Sequence, residues 1–372
     1  MKAIASWLTR SWAVVVPILG VIALVAFWTV ELEPWAVVLI ALVLGGTVLA
    51  AVQHAEVVAH RVGEPFGSLV LAVAVTVIEV ALIVTLMTTG KDSESLARDT
   101  VFSAVMITMN GIVGLSLLLS SSRGTMTSFN AKGSSAALAT VTAMATLTMV
   151  VPSFTETPGP QFSPSQLVFA ALASLALYGM FVFTQTFAHR DFFLPVGHKG
   201  AAADAGAGGT DDEDQHAEAP STKTALISVG LLLVALVAVV GLAKLESTPI
   251  ERAVTGVGLP QSFVGVIIAL LVLLPEGIAA AKAAKRNRMQ TSLNLALGSA
   301  IASIGLTIPA IAVASIWLPG ALHLGLGASQ IVLLALTVAV SILTIMPGRA
   351  VRLQGGIHLI LFAASVFLSI AP

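Results

Sequence analysis

The chain contains no cysteine, which excludes disulfides, thiolate zinc sites and cysteine nucleophiles. It is also poor in charge. Only 10% of its 372 residues are Asp, Glu, Lys or Arg, against roughly 25% in an ordinary soluble domain. The formal net charge is -1, so the basic face that nucleic acid requires cannot be assembled. A soluble globular enzyme, a disordered chain and a nucleic-acid binder are thereby ruled out. What is abundant is apolar: 57% of the residues are hydrophobic and the mean hydropathy is strongly positive. Such a chain is polytopic in a membrane.

Eleven apolar stretches stand out, at 12–30, 35–53, 66–88, 101–120, 136–151, 166–187, 224–242, 263–281, 293–316, 328–345 and 354–370. Each is near the length of about 20 residues that crosses the hydrocarbon core as a helix. Barrel strands would be half as long and would alternate. The first stretch is too long for a cleaved signal peptide, and no small-residue cleavage site follows it. The expected fold is all-α and polytopic, with about 11 transmembrane helices. With the N-terminus in the cytoplasm, 14 of the 18 Lys and Arg residues fall on inner segments and 4 on outer ones. The positive-inside rule favours that orientation, which puts the C-terminus on the periplasmic or extracellular side of the inner membrane.

Residues 189–223 differ from every other connection. They hold 7 of the 19 acidic residues, including Asp211-Asp212-Glu213-Asp214 and Glu218, together with His216. This Gly- and Ala-rich stretch cannot bury a core and reads as a cytoplasmic linker. A solvated tether and a weak cation sensor are its two readings; no EF-hand spacing is present.

Five spans lie between the first span and the linker, and five follow the linker. An odd number per half forces the halves to cross in opposite directions, the mark of inverted repeats. The expected division is 1–31 (an extra helix), 32–188 (first repeat), 189–223 (linker) and 224–372 (second repeat). Phe66-Gly67-Ser68-Leu69-Val70 leads to Glu79, and Phe263-Val264-Gly265-Val266-Ile267 leads to Glu276; Phe to Glu is 13 residues in both. Ile112-Val113-Gly114-Leu115-Ser116 in the fourth span echoes Ser303-Ile304-Gly305-Leu306-Thr307 in the ninth. Aligning the two glycines sets Ser103 over Asn294 and Thr108 over Ser299.

Glu79 and Glu276 are the only acidic residues well inside these predicted spans. A charge at the bilayer centre costs at least about 2.5–3.5 kcal/mol, so two mirrored copies point to function rather than to a structural carboxyl. An apolar setting favours the protonated acid and a bound cation favours the carboxylate. Proton and cation therefore compete for one site, as antiport requires. Two carboxylates match one divalent cation or two protons.

Pro275 precedes Glu276, and Gly277 follows it. Proline removes a backbone donor, so an unwound turn with free carbonyls is expected there; an ordinary kink is the alternative. Thr76, Ser103, Thr108, Asn110, Asn294, Ser299 and Ser303 supply neutral oxygens suited to a hard cation. Taken singly, each also fits interhelical packing. Asn110 and Ser299 are the strongest of them. His54, Glu56, His60 and Glu64 crowd the inner end of the second span, either as an entry for protons or cations, with Glu56 and His60 foremost, or as an interfacial loop. Asp99 and Arg98 start the fourth span and are expected to pair or stay solvated. His323 and His358 read as interfacial. Lys282, Lys285, Arg286 and Arg288 read as an inner anchor toward anionic lipid.

Gly63-Glu64-Pro65-Phe66-Gly67-Ser68 through Glu79, Pro275-Glu276-Gly277, and Asn294 through Pro309 together resemble the calcium/cation antiporter superfamily, nearest its bacterial ChaA type. The resemblance covers almost the whole chain. It implies ten core helices in two inverted five-helix repeats plus an N-terminal helix, with ion-binding glutamates at Glu79 and Glu276 and a ligand near Gly298-Ser299. It also implies that spans two and seven slide over spans three, four, eight and nine. Two departures stand out. Val75-Thr76 and Leu273-Leu274 replace a Gly-Asn pair, and Ala302 replaces a glutamine. The expectation is an antiporter exchanging calcium for protons, with sodium or potassium as the alternative cation and no cofactor. Its partners are the bilayer, protons and metal cations. An intramembrane protease would need a Ser-His or Asp pair at mid-span, and a channel would want an oligomeric pore ring.

Overall fold

The computed structural model describes residues 2–30, 32–63, 66–89, 93–120, 126–194, 220–256, 258–260, 262–318 and 320–371. Most of the acidic linker, including 211–218, and Glu64 of the second span lie outside the described residues. Without water to satisfy the backbone, each apolar stretch must close its own hydrogen bonds, and each is a helix. They are α1 (Lys2–Phe27), α2 (Pro34–Val62), α3 (Phe66–Thr89), α4 (Leu96–Ser120), α5 (Ala131–Phe154), α6 (Pro164–Ala188), α7 (Thr222–Gly256), α8 (Ser262–Lys285), α9 (Met289–Ala314), α10 (Ala328–Ile345) and α11 (Arg352–Ile370). Ten are long and apolar enough to cross a membrane, and Ser11–Phe27 of α1 adds a shorter apolar stretch.

Local chemistry sets the ends. Pro34 and Pro164 open α2 and α6 at positions where a missing N–H costs nothing. Ser163 and Gln166 form a reciprocal capping box, and Asn130 caps α5 through the Lys132 N–H. One boundary differs markedly from the sequence reading. The predicted seventh span stops at 242, yet α7 runs to Gly256 with Pro249 inside it. Its end carries Lys244, Glu246, Glu251 and Arg252, which resemble a wet loop when only hydropathy is weighed.

Two large apolar cores organise the bundle, with a small third cluster of Ile83, Ala97 and Ile311 between α3, α4 and α9. One joins α1, α2, α3, α7 and one face of α8 through Leu24, Ile40, Leu44, Ile78, Leu82, Val239, Leu242, Val264, Ile268 and Val272. The other joins α4, α5, α6, α9 and α10 to a second face of α8, through residues that include Val105, Met109, Val141, Met144, Leu297, Ile304, Ala269 and Leu273. Outward-facing residues such as Leu42, Leu172, Leu343 and Phe367 remain exposed, as a lipid-facing surface requires. The loops sort to two ends. At one, Thr127–Ser128 (β1) pairs antiparallel with Arg349–Ala350 (β2), and the Asn130 N–H donates to Gln290 Oε1 at 2.6 Å. At the other, the His323 N–H donates to the Glu94 carbonyl at 3.1 Å and Arg98 Nη1 to the Gly325 carbonyl at 3.1 Å.

Four helices carry a π-helical segment among the described residues: Ile107–Ile112 in α4, Thr146–Val150 in α5, Thr184–Ala188 in α6 and Ser303–Thr307 in α9. Such bulges favour functional sites because they re-aim side chains. The turn expected to unwind at Pro275 does not. Helix α8 runs through that proline without a break, since neighbouring helices hold it on both faces. In α9, Gly305 lets the bulge press on α6: an added Cβ would stand 2.7 Å from Tyr178 Cβ. Ser174 Oγ of α6 donates to the Ile304 carbonyl at 3.2 Å, taking up a carbonyl of the bulge.

Candidate functional site

The two glutamates line one cavity of about 260 Å³. Glu79 is 4% exposed. Its Oε1 accepts from Ser303 Oγ at 2.8 Å, and its Oε2 accepts from Thr307 Oγ1 at 3.0 Å. Residues four apart stack on one helix face, and the π segment holds both hydroxyls against the same carboxyl. Glu276 lies within electrostatic reach of Glu79 and Glu56. Its Oε2 is buried and has no hydrogen-bond partner among the described residues. A buried acceptor left open is costly, and here it lies on the cleft among other polar side chains.

The cavity wall is built from the first half of α3 (Leu69 to Glu79), the end of α6 (Tyr178 to Thr186), the middle of α8 and the first half of α9 (Thr291 to Ser303). Antiparallel neighbours bring those segments to one side. The cleft therefore extends from the glutamates toward the end that carries the β1–β2 ladder.

Of the supporting residues, the structure brings Thr76, Asn294, Ser299 and Ser303 to this cavity. The Asn294 amide is largely spent, because its Nδ2 donates to the Phe193 carbonyl at 2.7 Å and its Oδ1 accepts from Gln290 at 2.8 Å. Pro275 does not line the cavity. Ser103 and Thr108 return their hydroxyls to their own helix, at the Asp99 and Ala104 carbonyls. Asn110 faces away from the glutamates: its Nδ2 donates to Thr337 Oγ1 at 2.9 Å and its Oδ1 meets His358 Nδ1 at 2.9 Å. His358 is 1% exposed and not interfacial, its Nε2 lying 3.1 Å from Thr344 Oγ1. Glu56 and His60 are exposed near the end of α2, a helix rather than a loop, and Glu56 is within electrostatic reach of His60 and Lys282. His54 instead turns to the Ala13 carbonyl. Asp99 pairs with Arg98 at 2.8 Å.

Sequence reasoning left out Thr307, although its spacing from Ser303 was visible. The register between halves also changes. Ile107 follows Glu79 by 28 positions and Ser303 follows Glu276 by 27, so the two π segments correspond when counting starts at the glutamates. That count sets Met106 over Ser303 and Asn110 over Thr307, displacing the glycine-to-glycine alignment. The hydroxyl pair that holds Glu79 thus has no counterpart at Glu276: one equivalent is a thioether and the other amide is engaged elsewhere.

The pattern of the family described as sodium/calcium exchanger protein matches residues 32–187 and 227–371. The chain belongs to this family. Over 370 residues it is 44% identical to the y4hA protein of Sinorhizobium fredii, covering 97% of this chain and 96% of that one. It is 34% identical over 355 residues to the sodium-potassium/proton antiporter ChaA of Escherichia coli, covering 95% and 94%. Among solved structures it shares its fold with YfkE, at a TM-score of 0.69 and 16% identity, with 97% of this chain and 99% of that one covered. The H+/Ca2+ exchanger CAX superposes with a TM-score of 0.65 at 16% identity, covering 97% and 92%. This exchanger-family chain is thus a multi-pass membrane protein of a cation-exchanging class, not an enzyme.

Proposed function

We propose that this protein extrudes a cation in exchange for protons across the inner membrane, with Glu79 and Glu276 holding the two kinds of ion in turn. The observation that carries this is the pair of carboxyls on one cavity, Glu79 buried and oriented by two hydroxyls and Glu276 half-buried with one buried oxygen open. Among the described residues no cluster of three or more His, Cys, Asp or Glu could hold a metal. Two carboxylates with Ser and Thr oxygens form a weaker set, which suits a cation that must leave again. Calcium is the substrate that two carboxylates neutralise. A second reading, sodium or potassium, is favoured by the spent Asn294 amide and by the scarcity of other amide ligands in the cavity.

The two separately matched stretches, and the pairing of α2 with α7, support two inverted five-helix repeats joined by the linker. With the N-terminus cytoplasmic, the cleft opens inward, and Glu56 and His60 stand at its cytoplasmic approach. The test is proton flux in everted vesicles, adding calcium, sodium or potassium in turn. A calcium response larger than the others supports the first reading, a sodium or potassium response the second, and a response to none refutes antiport.

A further inference from the structure

Glu246 is 0% exposed, and neither of its carboxyl oxygens has a hydrogen-bond partner among the described residues. Nothing in the two-glutamate mechanism uses it. Residues one turn away on its helix face, Leu242, Ala243 and Ile250, pack into the apolar core with Ile78, Leu82 and Leu86 of α3. A carboxylate in such surroundings is costly, whereas the neutral acid is tolerated.

Its position has a counterpart. Glu56 is 22 positions after Pro34, the start of α2, and Glu246 is 24 after Thr222, the start of α7. The two helices pack side by side and run antiparallel, since Arg61 near the end of α2 donates to Thr222 Oγ1 at 2.8 Å. The two carboxyls therefore lie toward opposite ends of the bundle. Glu56 is near the end to which the Glu79–Glu276 cleft extends, and Glu246 is near the other.

We infer that Glu246 is a third, outer proton-binding carboxyl, which takes up and releases one proton on the side opposite the cleft. The only bond made or broken is its own O–H. This rests on the antiport reading above. Of the charged or titratable groups on helices packed against α7, Glu33 opens α2 and Glu79 stands mid-α3. His54, Glu56, His60 and Arg61 occupy the far end of α2, Lys2 and Arg10 the first turns of α1, and Glu276, Lys282 and Lys285 the second half of α8. On α7 itself, Lys223 sits at the far end, Lys244 lies over the Trp28 ring at 5.5 Å, and Glu251 and Arg252 follow.

The test uses the full chain in proteoliposomes. Dicyclohexylcarbodiimide adds the O–H of a protonated carboxyl in an apolar site across its C=N bond, and peptide mass mapping locates the adduct. Glu246 should be modified, and modification should fall as the pH on the outer side rises. Glu246→Gln should shift the outer-pH dependence of cation-driven proton flux by about one unit or more, tenfold in proton affinity. Glu246→Leu, which matches the surrounding core, should fold and show the same shift. Absence of the adduct at every pH, or an unchanged outer-pH profile in folded Glu246→Leu, overturns the inference. The labelling is read without cation flux, so its outcome is separate from that of the antiport reading.

Discussion

Replacing Glu276 by glutamine separates the ion site from the fold. The substitution keeps the size of the side chain and removes one of two charges facing the cavity. Glu276 Oε2 has no hydrogen-bond partner to lose, so folding stability should change by less than about 1 kcal/mol. Cation binding should change far more. Removing one partner of a buried charge pair costs about 3–5 kcal/mol, or about two to four decades in affinity. Glu79→Gln should lose exchange to the same degree, but with a small stability cost, because Ser303 and Thr307 both donate to its carboxylate and an amide offers only one acceptor. The double substitution should be no worse for exchange than either single one, since both charges serve one site. Cation titration calorimetry on purified protein, thermal unfolding, and proton flux in vesicles read the three quantities separately. Near wild-type proton-coupled flux in either well-expressed single variant would refute the assignment of the ion site.

Thr307→Val should raise the cation concentration needed for half-maximal flux about ten- to a hundredfold, because one hydrogen bond to a charged oxygen is worth about 1.5–3 kcal/mol; an unchanged value contradicts the orienting role. Asn110→Leu should instead destabilise the fold by about 1–3 kcal/mol, by stranding His358 and Thr337, while leaving that half-maximal concentration nearly constant in the folded fraction. Gly305→Val should lower the unfolding temperature, as overpacking against Tyr178 costs about 1–3 kcal/mol; an unchanged melting curve would show that α6 yields freely. Deleting residues 201–220 should preserve flux and alter at most its calcium or pH dependence, and complete loss in correctly inserted protein would contradict the tether reading.

The helices were legible because bilayer length and hydropathy leave little choice, and the 13-residue spacing marked Glu79 and Glu276 as a pair. Ser303 was visible too, as a hydroxyl in the matched tail. Asn110 was misjudged for a definite reason. Its partners lie 227 and 248 positions away along the chain, so only tertiary structure shows that its amide is already engaged. His358 was misplaced by the same blindness, for near a span end it looks wet until Asn110 and Thr344 are seen beside it. Glu246 was lost through a boundary: a proline and four charges within nine residues read as water-exposed loop, yet α7 continues through them and buries Glu246 while Lys244 and Arg252 stay exposed. Pro275 failed the other way, as a strong local signal for unwinding overridden by packing on both sides.

Helix α8 gives one face to each apolar core: Val264, Ile268 and Val272 to one, Ala269, Leu273 and Ala280 to the other. Helix α3, with Ile78, Leu82 and Leu86 in the first core, meets the second body through the Glu79 bonds to α9 and through Ile83, which packs with Ala97 of α4 and Ile311 of α9. The two helices that bear the glutamates are thus the seam of the molecule. Slippage of one body past the other would shift the carboxyls against each other, so on the antiport reading proposed above whatever they hold bears on that seam. On that reading occupancy and motion are a single coordinate. By the same reading, an empty pair of charges repels across the seam, and two protons or one cation relieve that repulsion.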